Sequence, residues 1–193
     1  PAQLEHLGEA RLFLDLVADQ ARGGLEYVSG EIAYTFDANW KLQIENSLDM
    51  YHFTSTHASY VDLLSRRGGS ELGGNAPPSG GAQGTFSFGR GHAVMWREKS
   101  RASEKLLALR REGFVPQLDE VRQRWATYAR NLTIFPNMQI VDNITSVMLR
   151  ELRPITAHRT ELRTHCLAPI GETAQSRRAR IRCSATSSAL PSP

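Results

Sequence analysis

Residues 132–167 read LTIFPNMQIVDNITSVMLRELRPITAHRTELRTHCL, and this stretch decides the fold class. Apolar residues recur at the period of two that is typical of strands, most clearly between Glu161 and Leu167. The stretch predicts three strands, with turn-forming residues between them. The predicted strands are Leu132–Phe135, Met138–Leu152, which could contain a bend, and His158–Leu167, and the links are Pro136-Asn137 and Pro154.

Further elements are predicted on both sides of this stretch. The helical segments are Arg11–Gln20, which Gly23-Gly24 would stop, then Ala102–Glu112, Gln117–Arg130 and the basic Gln175–Arg182. The strand segments are Tyr27–Phe36 and Thr85–Arg97, the latter as a hairpin around Gly89–Gly91. Residues 65–84 are rich in glycine and predict a loop, either a lid or an insertion without function. This order of elements favours an α+β domain, an antiparallel sheet with helices on one side of it.

The composition favours one globular domain of a cytoplasmic enzyme. A chain of 193 residues with 40% hydrophobic content can bury one sizeable core. No apolar run approaches the roughly 20 residues that a membrane span needs, and the first residues do not resemble a signal peptide. Two cysteines suggest no disulfide framework. The net charge is only +3 and no basic face is interleaved with aromatic residues, so we expect neither a nucleic-acid nor a membrane partner.

The most informative segment for function runs from Glu45 to His57 and gathers two imidazoles and two carboxylates in thirteen residues. Two histidines and one carboxylate form the ligand set of mononuclear non-haem Fe(II) oxygenases. On a regular helix Asp49 and His52 share a face, but His52 and His57 diverge by roughly 140°. We therefore predict that the helix widens or ends between Phe53 and Thr56. The alternative is that the two histidines are unrelated polar residues.

Matches around this segment identify a resemblance to a known family. Together the matching residues look like the iron-binding segment of the large subunit of Rieske-type aromatic-ring-hydroxylating dioxygenases. They are Asn39-Trp40-Lys41, Glu45-Asn46, Asp49, Tyr51-His52 and His57. Further matches resemble the branch that acts on benzoate-like acids: Gly24-Leu25-Glu26, Arg130-Asn131-Leu132, Phe135-Pro136-Asn137, Leu152-Arg153-Pro154-Ile155, Ala168-Pro169 and Gly171-Glu172. The resemblance covers most of residues 1–182 and implies a partial catalytic domain whose sheet is gripped by helices.

The resemblance implies a role for each matching position. His52 and His57 would be the two imidazole ligands of the iron. Asp49 would hydrogen-bond a ligand histidine and link it to the iron–sulfur centre of a neighbouring subunit, which gives it an orienting task. Asn46 matches an asparagine beside the iron, so Asp49 and Asn46 are the expected catalytic residues, with Glu45 as an acidic neighbour.

Two aromatic residues of the segment, Trp40 and Tyr51, are expected to lie in the core instead of taking part in chemistry.

Two features depart from the family pattern. A Rieske [2Fe-2S] cluster needs paired Cys and His motifs, but neither Cys166 nor Cys183 begins such a pair, so the chain holds no ligands for the cluster of the parent enzyme. The family's third iron ligand is an aspartate on a later helix, and Asp62, Asp119 and Asp142 stand in no matching context. Residues 183–193 are rich in Ser, Ala and Pro and predict a disordered tail outside the family pattern.

The implied function is cis-dihydroxylation of an aromatic ring, with an aromatic acid as the expected substrate, by Fe(II) and O₂. Expected partners are the substrate, O₂, a reductase or ferredoxin that passes on electrons from NADH, and other subunits in a homotrimer or an alpha3beta3 assembly. By itself the chain is expected to bind iron weakly or not at all, and to be inactive. Two alternatives stay open: a non-catalytic domain of the same fold that binds an apolar ligand, and a zinc hydrolase, although His-Glu-X-X-His is absent.

Overall fold

The computed structural model describes residues 2–19, 21, 23–57, 82–97, 120–121, 125, 128–143, 146–178 and 180–181. The helices are α1 (Ala2–Leu7), α2 (Ala10–Ala18), α3 (Trp40–Leu48) and α4 (Phe53–Thr56). The strands are β1 (Leu25–Tyr27), β2 (Ile32–Phe36), β3 (Gln83–Gly89), β4 (His92–Arg97), β5 (Ala129–Ile134), β6 (Met138–Asn143), β7 (Ser146–Thr156) and β8 (Arg159–Pro169). Residues 174–178 and 180–181 are helical, so the helix begins one residue before the predicted basic helix Gln175–Arg182.

All eight strands belong to one antiparallel sheet. Its order is β1-β8-β7-β6-β5-β4-β3, and β2 also pairs with β8. Each strand from β3 to β7 pairs with the next one along the chain. The predicted α+β class with an antiparallel sheet is confirmed.

Helices pack on both faces of the sheet. Phe13, Leu16 and Val17 of α2 join a buried cluster with Leu132 of β5 and Ile140 of β6. The neighbouring strand residues Asn131 and Gln139 instead hydrogen-bond to α3. Since successive side chains of a strand point to opposite faces, α2 and α3 cover opposite sides. The expected placement of helices on one side is therefore wrong, because the strands bury side chains in both directions.

Several predicted boundaries differ from the structure. The helix predicted for Arg11–Gln20 is present as α2, and its apolar stripe is buried as expected. The single strand predicted over Tyr27–Phe36 is divided into β1 and β2, with Gly30 at a φ of 97° between them. Met138–Leu152 forms two strands rather than one, β6 and the start of β7. The predicted hairpin of Thr85–Arg97 is confirmed.

Pro154 does not link two strands as predicted, since β7 continues through it to Thr156. The amide of Leu152 donates to the carbonyl of Asn137, 2.8 Å away, just before β6 begins. Alternate amides of a strand point the same way, so an N–H at position 154 would point to the same side as that of Leu152. At that position there is no longer a residue of β6 to accept it. No ladder hydrogen bond is lost there, and the pairing with β8 shifts register between Pro154 and Thr156. The chain reverses instead at Ala157-His158.

The predictions for the segment before β5 are tested only in part. Residues 120, 121 and 125 are helical, but residues 129 and 130 already belong to β5, so the end of the helix predicted over Gln117–Arg130 is wrong. Cross-strand pairing with β4 and β6 outweighs the local helical pattern there. The helix Ala102–Glu112, most of the loop 65–84 and the tail 183–193 lie outside the described residues. In the described part of the chain, no helix is long and apolar enough to cross a membrane.

Candidate metal centre at the end of α3

The helix α3 brings the first half of the candidate site to the sheet. Its N-cap is Asn39, whose side-chain oxygen accepts from the amide of Lys41 at 3.0 Å. The helix ends at Leu48, and Asp49 has an extended backbone, with φ −101° and ψ 119°. The predicted break between Phe53 and Thr56 is therefore misplaced, because α3 has already ended four residues earlier.

The two histidines flank one turn of helix. His52 directly precedes α4, and its carbonyl accepts from the amides of Ser55 and Thr56 at 3.1 and 2.8 Å. The hydroxyl of Ser55 also donates to this carbonyl at 3.0 Å, the competition for backbone partners expected of such a residue. His57 follows the last residue of α4. Because neither histidine lies inside a helix, the 140° divergence does not apply and the rings can meet.

Asp49 orients His52. Its Oδ1 accepts from the amide of Tyr51 at 2.7 Å, and its Oδ2 lies 3.3 Å from Nδ1 of His52. The hydrogen bond from the Tyr51 amide is the main reason that the pKa of Asp49 is lowered from its ordinary value, and His52 lowers it further. A carboxylate at this position favours a proton on Nδ1 of His52, which leaves a lone pair on Nε2.

The ring nitrogens of the two histidines converge. Nε2 of His52 lies 3.3 Å from Nε2 of His57, and the ring planes make an angle of 64°. Nδ2 of Asn46 lies 3.0 Å from the same Nε2 of His52. The structure therefore brings Asn46, Asp49, His52 and His57 together, as the sequence predicted.

This geometry fits a divalent metal ion. Imidazole nitrogens bind such ions at about 2.1 Å, and two such bonds at an angle of about 100–105° separate the nitrogens by about 3.3 Å. Burial, together with the neighbouring His52, lowers the pKa of His57 from its ordinary value. The neutral imidazole, which is the form that binds metals, is therefore favoured at physiological pH.

In the part of the chain that the structure describes, no third ligand lies beside these nitrogens. Among the residues that the structure describes, no group of three His, Cys, Asp or Glu side chains could hold a metal ion. Asp49 is turned toward Nδ1 of His52, on the far side of the ring from Nε2. Asp142 is buried and accepts from the guanidinium of Arg130. Asp62 and Asp119 lie outside the described residues.

The remaining predicted residues of the segment lie farther out. Glu45 is exposed. Trp40 is half-buried, with its ring centroid 6.3 Å from that of Phe135. Tyr51 is 93% exposed, so the expectation of a core aromatic is wrong for this residue. Tyr51 follows the end of α3 in a turn, where its backbone amide donates to the carboxylate of Asp49.

Sequence reasoning missed three polar side chains of the sheet that hold α3, which we call the α3 anchor: Thr85, Asn131 and Gln139. Thr85 and Asn131 donate to the carbonyls of Leu48 and Ser47 at 2.8 and 3.2 Å. Gln139 accepts from the hydroxyl of Ser47 at 3.1 Å. The partners lie 37, 84 and 92 residues apart in the chain, so no local pattern identifies them.

Known proteins resemble this chain in both sequence and structure. The family model for the catalytic domain of the ring hydroxylating alpha subunit matches residues 25–189. The large subunit of 2-halobenzoate 1,2-dioxygenase from Burkholderia cepacia is 36% identical over 92% of this chain and 39% of its own length. The alpha subunit of toluate 1,2-dioxygenase from Pseudomonas putida is 35% identical over 91% of this chain and 40% of its own length. This chain thus spans about two-fifths of those relatives.

A solved structure of naphthalene 1,2-dioxygenase with indole in its active site superposes with a TM-score of 0.69. It is 27% identical, and the match covers 96% of this chain and 43% of the naphthalene enzyme. The antiparallel sheet with its few helices is therefore a known arrangement for such domains.

Proposed function

Because this chain belongs to the family of ring-hydroxylating alpha subunits, we propose that it carries part of the catalytic domain of a dioxygenase that acts on a benzoate-like aromatic acid. The observation that carries the proposal is the pair of Nε2 atoms of His52 and His57, 3.3 Å apart. A carboxylated substrate is supported by the names of two relatives, which act on 2-halobenzoate and on toluate.

The residues of this chain have separable tasks in the proposed reaction. Asp49 keeps the proton of His52 on Nδ1 and thereby directs the lone pair of Nε2 toward His57. The lowered pKa of His57 keeps its imidazole neutral. Asn46, whose amide already approaches Nε2 of His52, lies where it can contact a group held there. Hydrogen bonds between Ser47 of α3 and the sheet residues Gln139 and Asn131 hold the start of the segment in place.

Ferrous iron held by His52 and His57 would supply O₂ activation next to the aromatic ring, for cis-dihydroxylation. The third ligand would be an acidic side chain that the described residues do not place beside this pair. The proposed electron source is NADH, through a reductase or ferredoxin and a Rieske [2Fe-2S] centre of the parent enzyme, whose ligands this chain lacks.

The proposed enzyme is an oligomer in the cytoplasm, where NADH is available. The carboxylate of Asp49 is 52% exposed at its side chain and can therefore meet a neighbouring subunit. A homotrimer or an alpha3beta3 assembly would provide that neighbour.

The test of the metal site is an anaerobic Fe(II) titration of the purified chain, compared with the variants His52→Ala and His57→Ala. His158→Ala is the matched control, because His158 is exposed in the turn between β7 and β8. We expect each site variant to weaken Fe(II) binding at least about tenfold, since each removes one of two ligands. The control should bind like the unchanged chain.

Iron binding that survives both site substitutions would refute the assignment of the ligands. Zinc-dependent hydrolysis would favour the hydrolase. Absence of metal binding even in a longer chain that supplies the later helix with the third ligand would favour a domain that only binds an apolar ligand. The substrate class is tested by calorimetric titration with benzoate and with toluene, which lacks the carboxylate. Equal binding of the two compounds would contradict the preference for an acid.

A further inference from the structure

We propose that Thr85 and Asn131, two side chains of the sheet, position the Asp49–His52 pair through the last carbonyls of α3. The inference rests on the proposed function, because it assigns these residues a role in preparing His52 for metal. Neither residue touches the imidazoles. Both are positioning residues that act through the backbone of α3.

The end of an α-helix leaves carbonyls without partners inside the helix. Two such carbonyls of α3 accept hydrogen bonds from the sheet. The hydroxyl of Thr85 donates to the carbonyl of Leu48 at 2.8 Å, and Nδ2 of Asn131 donates to the carbonyl of Ser47 at 3.2 Å. Leu48 is the last residue of α3 and directly precedes Asp49. The sheet therefore holds the helix end at the two carbonyls nearest to Asp49.

The register of the sheet places the two donors in one row. Asn131 of β5 pairs with Met95 of β4, and Met95 pairs with Thr85 of β3. Paired residues point to the same face, so Thr85 and Asn131 both face α3. One strand farther on, Gln139 is fully buried and donates to the carbonyl of Gln43 at 3.3 Å. The side of α3 that faces the sheet is thus hydrogen-bonded to it along the last two turns of the helix.

The held carbonyls restrict Asp49 because it follows them directly in the chain. Its amide donates to the carbonyl of Glu45 at 3.1 Å, and its carboxylate accepts from the amide of Tyr51 and lies 3.3 Å from Nδ1 of His52. A rotation of the Leu48–Asp49 peptide would move Oδ2 away from Nδ1 of His52. Loss of that contact would release the tautomer of His52 and turn the lone pair of Nε2 away from His57.

Substitutions at Thr85 can separate this role from general stability. Thr85→Val keeps the shape of the side chain but removes the hydroxyl, and Thr85→Ser keeps the hydroxyl. Thr85 is exposed, so neither change disturbs the core. Thr160→Val is the matched control, because the hydroxyl of Thr160 donates to the carbonyl of Ala38 at 2.9 Å, before α3 begins. Asn131→Leu tests the second donor.

Two readouts are needed. The first is the tautomer of His52 in the metal-free chain, from two-bond ¹H–¹⁵N correlation spectra of the imidazoles. The second is Fe(II) affinity in the anaerobic titration, alongside the unfolding midpoint of each variant. A net hydrogen bond is worth about fivefold in an equilibrium. We therefore expect Thr85→Val and Asn131→Leu each to shift the Nδ1–H to Nε2–H ratio of His52 and the Fe(II) affinity by about fivefold.

Thr85→Ser should restore both readouts, and Thr160→Val should lower the unfolding midpoint without changing either of them. The inference is overturned if Thr85→Val leaves the tautomer ratio unchanged, or if Thr160→Val shifts it equally. The tautomer readout needs no metal. If Fe(II) does not bind even in a longer chain that supplies the third ligand, while the expected tautomer shifts occur, the proposed function is contradicted and the positioning role stays supported.

Discussion

A methyl group at Gly91 should destabilise the fold far more than one at Gly89, although both glycines belong to the same hairpin between β3 and β4. Gly91 has a φ of +82° and Gly89 a φ of +78°, so an alanine at either position is strained by about 1–2 kcal/mol. A Cβ at Gly91 would also lie 2.7 Å from Cγ and 2.8 Å from Cβ of Phe135. A Cβ at Gly89 would have no neighbour within 4 Å.

Phe135 cannot easily give way. One of the clashing atoms is its own Cβ, which moves only with the backbone. Its amide donates at 3.0 Å to Nδ1 of His92, which is 1% exposed and also contacts the carbonyl of His6. Overpacking of this kind costs about 1–3 kcal/mol. The total for Gly91→Ala is therefore about 2–5 kcal/mol, against about 1–2 kcal/mol for Gly89→Ala.

The assay is urea unfolding followed by far-ultraviolet circular dichroism, with both substitutions made in the unchanged chain and in a Phe135→Ala background. Truncation of Phe135 removes the clashing ring atoms but keeps Cβ, so the free-energy cost of Gly91→Ala should fall there part of the way toward that of Gly89→Ala. Equal costs of the two glycine substitutions in the unchanged chain would refute the reasoning. So would a cost at Gly91 that is the same with and without the ring.

Three further outcomes are expected. Asp142→Ala should lower the free energy of unfolding by about 3–5 kcal/mol in chemical denaturation, because it leaves the buried guanidinium of Arg130 uncompensated; a loss below 1 kcal/mol would show that the pair is not buried. The pKa of Glu161 is lowered, mainly by a hydrogen bond from a neighbouring arginine, so its contribution to stability is present above its ordinary pKa and lost as the pH falls through the lower folded value. Glu161→Gln should accordingly reduce the loss of thermal stability below about pH 4, and an unchanged acid limb would contradict this. Asp49→Asn should weaken Fe(II) binding by about 10- to 100-fold because His52 loses its orienting carboxylate, and unchanged affinity would remove that role from Asp49.

The sequence predicted the members of the site better than the path of the chain through it. Asn46, Asp49, His52 and His57 converge as expected. The break in the helix lies before His52 instead of after it. Asp49 already has an extended backbone, and its carboxylate accepts a hydrogen bond from the amide of Tyr51. Weak helix formers at 54–56 indicated a break nearby, but they could not fix its position.

Strand prediction shows the same division. The alternating pattern placed strands between residues 132 and 167, and β5 to β8 lie there. The local pattern at Pro154 indicated a turn, yet pairing with β8 carries the strand past it. A proline is tolerated at this point only because β6 does not extend that far, which depends on the neighbouring strand and not on Pro154 itself.

The sequence by itself determined the α+β class and identified the residue types of the candidate site, because side-chain periodicity and ligand type are local properties of the chain. Only the tertiary structure decided that helices cover both faces of the sheet, that Tyr51 is exposed, and that Thr85 and Asn131 hold the end of α3. Those contacts join residues 37 and 84 positions apart. They depend on strand register, which aligns distant residues through backbone pairing that no short stretch of sequence encodes.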